Sequence, residues 1–275
     1  MKRSILFEGI TVEYSDRGSG RPLILLHGYL LTGEVWVPLS DIISKSFRVI
    51  SVDIPGHGGS GVAGDTHTME FIAEAVRAVM NDAGERKVLL AGHSLGGYAT
   101  LAFAEKYTDL LAGYVLFHSH PFPDAPEAVL KRKREIEVVR AGKKDIMYPA
   151  NISMMFAERN LKIIPEAVTR LRKIASLNPA EGIIALLNGM IVRPSRTHIV
   201  ESCKLPLLWI LGRWDRYFSP EKAIRDLRLP SNAKVTILEN SGHLGFVEET
   251  ELSAELIMSF ASGLDWRPDM ARTKK

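Results

Sequence analysis

Four short runs of this chain carry apolar residues without the polar alternation of a half-exposed strand. They are Leu23-Ile24-Leu25-Leu26, Arg48-Val49-Ile50-Ser51-Val52, Val88-Leu89-Leu90-Ala91 and Tyr114-Val115-Leu116-Phe117. Runs of this kind need cover on both faces, and a parallel sheet with helices on either side provides it. The spacers are long enough to be helices, and Thr68–Met80 sets Phe71, Ile72, Ala75, Val76 and Val79 on one helical face. Thr11–Tyr14 reads as a further strand, closed by the turn Asp16-Arg17-Gly18-Ser19-Gly20. The chain is therefore expected to be α/β, built on a mostly parallel sheet.

The alternation stops near residue 120. From Pro121 to about Glu201 no run reads as a strand, while Pro126–Ala141, Pro165–Ser176 and Pro179–Met190 read as helices, each opened by a proline. The strand–helix alternation then resumes with Pro206–Leu211 as a strand, Pro220–Leu227 as a helix, Lys234–Leu238 as a strand and Phe246–Phe260 as a long last helix. With 275 residues, one α/β domain carrying a helical insertion accounts for the whole length.

Composition removes several function classes. A formal net charge of +3, from 35 basic and 32 acidic residues, gives no reason to expect a nucleic-acid partner. The lone Cys203 cannot form an internal disulfide, and no CxxC pair stands ready for zinc. The apolar run Ile5-Leu6-Phe7 ends at Glu8, too short for a signal peptide, and no stretch approaches the ~18 apolar residues of a membrane helix. The expectation is a soluble, cytoplasmic protein without a membrane partner, its oligomeric state open. Trp266–Lys275 reads as a polar tail.

Gly92-His93-Ser94-Leu95-Gly96-Gly97 follows one buried run directly and opens the helical pattern Leu95–Lys106. This is G-x-S-x-G in the strand–turn–helix setting that its chemistry requires. Small residues on either side of Ser94 let strand and helix approach, so that the hydroxyl is held above the sheet edge. The Leu95 amide then lies at a helix N-terminus, where it can donate to an oxyanion. His93, next to Ser94 on a sharp turn, points elsewhere.

A serine hydroxyl becomes a useful nucleophile only beside a base that is itself oriented by an acid. Asp215, in Gly212-Arg213-Trp214-Asp215, and His243, in Asn240-Ser241-Gly242-His243, each follow a predicted strand on the edge where open α/β sheets carry their sites. Asp124 is the rival acid. His118 and His120 follow the strand before the insertion and are candidates to contact substrate; no third ligand near them in sequence completes a metal site. His67 and His198 read as surface or packing residues.

His27-Gly28-Tyr29 ends the first buried run, which makes the Tyr29 amide a second oxyanion donor, with His27 structural. Gly56-His57-Gly58-Gly59-Ser60-Gly61 matches G-x-G-x-x-G, but Pro55 precedes it and no helix starts until about Thr66, so no helix N-terminus is present for a pyrophosphate. A tight loop anchored by Asp53 and His57 is the expected role.

Taken together, Leu26-His27-Gly28-Tyr29, Asp53-Ile54-Pro55-Gly56-His57-Gly58-Gly59-Ser60, Gly92-His93-Ser94-Leu95-Gly96-Gly97, Gly212-Arg213-Trp214-Asp215 and Ser241-Gly242-His243 resemble the α/β-hydrolase superfamily. The resemblance implies a mostly parallel eight-stranded sheet, a catalytic core of residues 1–120 and 201–275, and a helical cap over 121–200. It also implies Ser94 as nucleophile, His243 as base, Asp215 as acid, and Tyr29 and Leu95 as oxyanion amides. A serine at the nucleophile position turns the expectation away from epoxide opening and dehalogenation, which use aspartate there. What the resemblance implies is a serine hydrolase that cleaves carboxylic esters of small to medium hydrophobic acyl or aryl substrates through an acyl-enzyme, requiring no metal or organic cofactor and meeting a small-molecule substrate. A carbon–carbon bond hydrolase or lyase with the same triad, or a ligand receptor without turnover, are the alternatives.

In the insertion, Met147, Met154, Met155, Phe156 and Met190 read first as ordinary cap core, the alternative being a flexible apolar lining for a hydrophobic acyl or aryl group, with Met154 and Phe156 as candidate substrate contacts. Lys131-Arg132-Lys133-Arg134, followed by Arg140, Lys143 and Lys144, is expected to be a solvated helix face, the alternative being contact with an anion.

Overall fold

The computed structural model describes residues 1–202 and 204–267; Cys203 and the expected tail from Pro268 to Lys275 lie outside the described residues. The strands are β1 (Lys2–Phe7), β2 (Ile10–Arg17), β3 (Pro22–Leu26), β4 (Arg48–Val52), β5 (Val88–His93), β6 (Leu111–Phe117), β7 (Leu207–Gly212) and β8 (Ala233–Leu238). They form one sheet in the order β1-β2-β4-β3-β5-β6-β7-β8. The sheet is mixed: β3 to β8 run parallel, and β1 and β2 add antiparallel at one edge.

Every residue of β3, β5, β6 and β7 is buried. Each Leu, Ile or Val removed from water there contributes roughly 1.5–3 kcal/mol, so the middle of the sheet is the most strongly fixed part of the molecule. Sequence pattern missed β1 because this edge strand is only half-buried on one face. It pairs with β2 through the turn at Glu8 and Gly9, both at positive φ (46° and 80°), as a two-residue hairpin demands.

The helices that alternate with the first strands are α1 (Val37–Ile43), α2 (Met69–Asp82) and α3 (Leu95–Lys106). Between β6 and β7 come α4 (Pro126–Arg140), α5 (Lys144–Met155), α6 (Asn160–Ile163), α7 (Pro165–Leu177), α8 (Ala180–Val192) and α9 (Thr197–Ser202), with no strand among the described residues of that stretch. α10 (Pro220–Arg225) joins β7 to β8, and α11 (Gly245–Glu248) and α12 (Thr250–Ser262) follow β8. No single helix among the described residues is long and apolar enough to cross a membrane.

Two expectations need correction. The helical run α5 has its proline, Pro149, inside it rather than at its start, so a proline-led reading passes over it. The expected single helix from Phe246 to Phe260 is broken at Glu249 (φ −137°, ψ 61°). There the Glu249 carboxylate accepts from the Asn240 amide (3.0 Å) and the Ser241 hydroxyl (2.6 Å), which the straight helix would not allow. At the start of the expected tail, Trp266 is docked: its Nε1–H donates to the Ala261 carbonyl at 3.0 Å.

Candidate active site

Ser94 sits between the last residue of β5 and the first of α3 at φ 51° and ψ −114°, a conformation that non-glycine residues reach only under constraint. The constraint comes from both sides. The Ser94 amide donates to the Phe117 carbonyl of β6 (3.0 Å), and the Ser94 carbonyl accepts from the Gly97 amide (2.9 Å) and the Ser119 hydroxyl (2.7 Å). A Cβ on Gly96 would come within 2.5 Å of the Leu26 carbonyl oxygen, so only glycine lets α3 start this close to β3.

The loop after β3 passes directly beside this turn, since a Cβ on Gly28 would lie 3.2 Å from the Ser94 Cβ. Next in the loop, Leu30 is held at φ 66°. Its amide donates to His57 Nε2 (3.0 Å) and its carbonyl accepts from Asn178 Nδ2 (2.9 Å). Among the described residues neither the Tyr29 nor the Leu95 amide has a hydrogen-bond acceptor. Two main-chain N–H groups beside Ser94 are thus fixed and left free. The glycine-rich loop has the expected anchoring role, with Asp53 accepting from the Gly33 (2.6 Å) and Gly59 (2.9 Å) amides. His27 is structural: its Nε2 accepts from the Ile54 amide at 2.9 Å.

His243 and Asp215, on the loops after β8 and β7, are joined by a 2.7 Å contact from Nδ1 to Oδ2. Asp215 Oδ1 accepts from the Tyr217 and Phe218 amides (2.8 and 3.3 Å). Burial alone would push the Asp215 carboxyl up, but His243 and His118 beside it outweigh that and hold it well below the usual carboxylate range. His93 is buried, and its Nε2 meets the His243 carbonyl at 2.8 Å, so it anchors the His243 loop.

His118 and Asp124 have roles that their sequence positions do not reveal. His118 Nε2 accepts from the Gly245 amide (3.0 Å), which leaves the proton of the neutral ring on Nδ1, 3.7 Å from Asp215 Oδ2. Burial pushes the His118 imidazole down, favouring that neutral form. His118 lines the cavity with its Nδ1 turned towards Asp215, beyond hydrogen-bond distance. Ligand-type atoms of His118, Asp215 and His243 lie within 4.8 Å of one another, the only such potential metal cluster among the described residues; those of Asp215 and His243 are bonded to each other, and His118 Nδ1 makes no hydrogen bond. Asp124 is bound to Arg132 (2.6 Å) and Arg193 (2.7 Å), which takes it out of contention as the acid.

A cavity of about 270 Å³ brings Ser94, His243, Tyr29, His118 and His120 together with residues of the helical insert. His120 shares its Nε2 with the Tyr98 hydroxyl at 3.2 Å, and burial lowers its imidazole to about 3. Of the expected apolar contacts, Met155 and Met190 line the cavity. Met154 is 38% exposed and Phe156 is packed into the core, and neither lines it. Lys131, Arg132 and Glu135 do line it, so the basic run is no uniform solvated face.

Sequence reasoning missed Glu248 altogether. Its Oε2 accepts from the Ala157 amide (2.8 Å) and Asn160 Nδ2 (2.7 Å), and its Oε1 from the Gly242 (2.8 Å) and Leu244 (3.3 Å) amides. The His243 amide also donates to the Met155 carbonyl at 2.6 Å. The loop of His243 is thereby bonded to the helical insert through four groups on its two flanks.

Comparison with known proteins agrees with this geometry. Residues 21–136 match the alpha/beta hydrolase fold family. A thermophilic esterase from Thermogutta terrifontis, solved with malate bound, is 30% identical and superimposes with a TM-score of 0.90 over 95% of this chain and 98% of its own. The (E)-2-((N-methylformamido)methylene)succinate hydrolase of Acinetobacter baylyi is 28% identical over 85% of this chain and 88% of its own length. A pimeloyl-[acyl-carrier protein] methyl ester esterase of Aeromonas hydrophila is 28% identical over 91% and 99%.

Proposed function

Since the chain belongs to the alpha/beta hydrolase superfamily, we propose that it is a serine hydrolase of small to medium carboxylic esters. The observation that carries this reading is the constrained Ser94 sharing one cavity with a His243 that is 2.7 Å from a buried Asp215. In this reading residues 1–120 and 201–275 form the catalytic core and 121–200 the cap. A volume of about 270 Å³ suits a small substrate.

Ser94 Oγ attacks the ester carbonyl while His243 Nε2 takes its proton. Asp215 holds the ring through Nδ1 and stabilises the imidazolium that forms. The carbonyl oxygen gains charge and is met by the Tyr29 and Leu95 amides, already in position and without competing acceptors. The tetrahedral intermediate collapses, the C–O bond to the alcohol breaks, and His243 returns its proton to the departing oxygen. Water, deprotonated by His243, then attacks the acyl-enzyme, and collapse releases the acid and restores Ser94. The related esterases support acyl transfer from an ester over the other chemistries open to such a triad.

The test is a fluorophosphonate probe together with hydrolysis of phenyl esters. The probe is expected to label Ser94, and Ser94→Ala is expected to lose both the label and about 10⁴-fold or more in turnover. Full hydrolysis by Ser94→Ala would overturn the mechanism, and a native protein that neither reacts with the probe nor turns over any ester would be a receptor.

A further inference from the structure

The part of the cavity wall built by α4 carries more positive charge than the protein itself neutralises. Lys131 and Arg132 line it from α4 and Lys222 from α10, against the carboxylates of Asp124 and Glu135. Asp124 is shared between two guanidiniums. Arg132 gives it Nε and Nη2 (2.6 and 3.2 Å), and Arg193 gives it Nη1 (2.7 Å). One carboxylate thus faces two arginines. Glu135 compensates only in part, because burial pushes its carboxyl up in spite of Lys131 and Arg132.

The unmet charge is visible in the hydrogen bonds. Arg193, its side chain 2% exposed, sits behind the wall, where its Nη1 also donates to the Met190 carbonyl (2.8 Å) and its guanidinium stacks 3.9 Å from the centre of the Tyr98 ring, with Nε and Nη2 making no hydrogen bond. Arg132 Nη1, on the cavity lining, has no acceptor among the described residues. The free edge of Arg132 on the lining is therefore the donor that an anion entering the cavity would meet, beside the ammonium of Lys131. Lys131 stands at the mouth, its Nζ 5.5 Å from the centre of the Tyr217 ring, and that ring is 4.8 Å from the ring of His243. A single aromatic ring therefore separates the ammonium from the base.

We propose that Lys131 and Arg132 form a carboxylate-binding subsite, so that the ester cleaved here carries a free carboxylate, as in the half-ester of a dicarboxylic acid. The proposal rests on the ester-hydrolase reading of the site. Lys131, Arg132, Lys222 and Arg193 against Asp124 and Glu135 leave an excess of two positive charges, and a planar carboxylate matches the guanidinium edge that Arg132 presents. Arg132 is the better anchor, because a planar guanidinium can grip a carboxylate while keeping its bond to Asp124.

The experiment compares kcat/KM for the monophenyl ester of glutaric acid with that for phenyl pentanoate, which has the same length and no charge. The wild type is expected to prefer the half-ester by about 10–100-fold, the range of a hydrogen bond to a charged group. Lys131→Met and Arg132→Gln are each expected to bring the ratio towards one, and raising salt from about 0.05 to about 0.5 M is expected to shrink it. A wild type that cleaves the neutral ester as well as the half-ester, or a preference that survives both substitutions, overturns the proposal.

A second readout needs no turnover. Calorimetry on the full-length Ser94→Ala protein is expected to find the monophenyl ester of glutaric acid bound at least about 10-fold more tightly than phenyl pentanoate, with the difference lost when Lys131→Met is added. Equal binding of the two esters overturns the subsite. Should the probe fail to label Ser94 and neither ester be cleaved, the hydrolase reading falls alone, and the calorimetry still decides for or against the subsite. Lys131 is exposed at the cavity mouth, so its substitution remains informative if Arg132→Gln does not fold.

Discussion

The two walls of the cavity are held together differently. On the sheet side, side chains are tied to main chain: His118 to the Gly245 amide and His93 to the His243 carbonyl beyond another strand, and Asp215 to the Tyr217 and Phe218 amides of its own loop. On the insert side, Arg132, Asp124 and Arg193 are bonded chiefly to one another. Main-chain partners fix a position because the sheet behind them does not move. Side-chain partners leave charge that can be shared with a newcomer. The first wall suits chemistry, whose geometry must be exact to a fraction of an ångström, and the second suits selection.

If that contrast is right, the largest effects lie on the sheet side. Asp215→Asn is expected to lower kcat by about 10⁴-fold, because the amide would favour the wrong tautomer of His243 and could not stabilise its charged form. The loss is expected for charged and neutral esters alike, whereas Arg132→Gln should act on the ratio between them. Steady-state kinetics on both esters reads the two patterns. A charge-dependent loss in Asp215→Asn would break the contrast.

The sheet side was also the side legible in the sequence. Its central strands announce themselves by apolar runs without alternation, and Ser94 and Asp215 each follow such a run while His243 follows the half-buried edge strand β8, so topology brings the three to one edge. The insert offered no such reference. Met154 and Met155 are neighbours on α5, and the sequence favoured the first as a contact, while the fold exposes it and turns the second into the cavity. Which face of an isolated helix meets a site depends on what it packs against, and here α5 packs on α7. Arg132 lay hidden in a run of basic residues because its partner Arg193, through Asp124, comes from the far side of α8 in sequence. Glu248 was missed because nothing in Glu248-Glu249 marks where the last helix breaks.

The next largest effect is on stability in acid, and it too belongs to the sheet side. Burial lowers His27 to about 4 and His57 to about 3, and it also lowers His93 and His118. In the unfolded chain these histidines titrate near 6.5. Their folded values are depressed, so the stability they allow is complete above about pH 6.5 and is lost as pH falls towards about 3–4. Each histidine costs about 1.4 kcal/mol per pH unit across that window. Asp215 adds a loss of the same sign only below the ordinary carboxylate range. Thermal unfolding followed from about pH 8 to about pH 4.5 is expected to be level at first and then to fall steeply. A midpoint unchanged down to about pH 5 would mean that these rings are hydrated, and the sheet side would lose its claim to rigidity.

The smallest effect concerns the junction where the two walls meet. Glu248 accepts from Gly242 and Leu244 on either side of His243 and from Ala157 and Asn160 of the insert. Glu248→Ala leaves these donors without their acceptor, at about 1–3 kcal/mol for each one that water cannot reach. With part of that recovered by relaxation, a total of about 3 kcal/mol is expected, seen as a fall in Tm of about 6–12 °C for a chain of this size. Turnover should fall as well, and for both esters, since Gly242 and Leu244 set the position of the base. Glu248→Gln separates the two connections, because an amide keeps one acceptor oxygen and replaces the other with a donor that cannot serve either side. If Glu248→Gln restores kcat but not the preference for the half-ester, the retained oxygen has gone to the His243 loop, and the insert's position is what the charged substrate senses. If it restores the preference but not kcat, the retained oxygen has gone to Ala157 and Asn160 of the insert. In that case the charged wall is held while the base is freed, and the two walls are as independent in their attachment as in their chemistry.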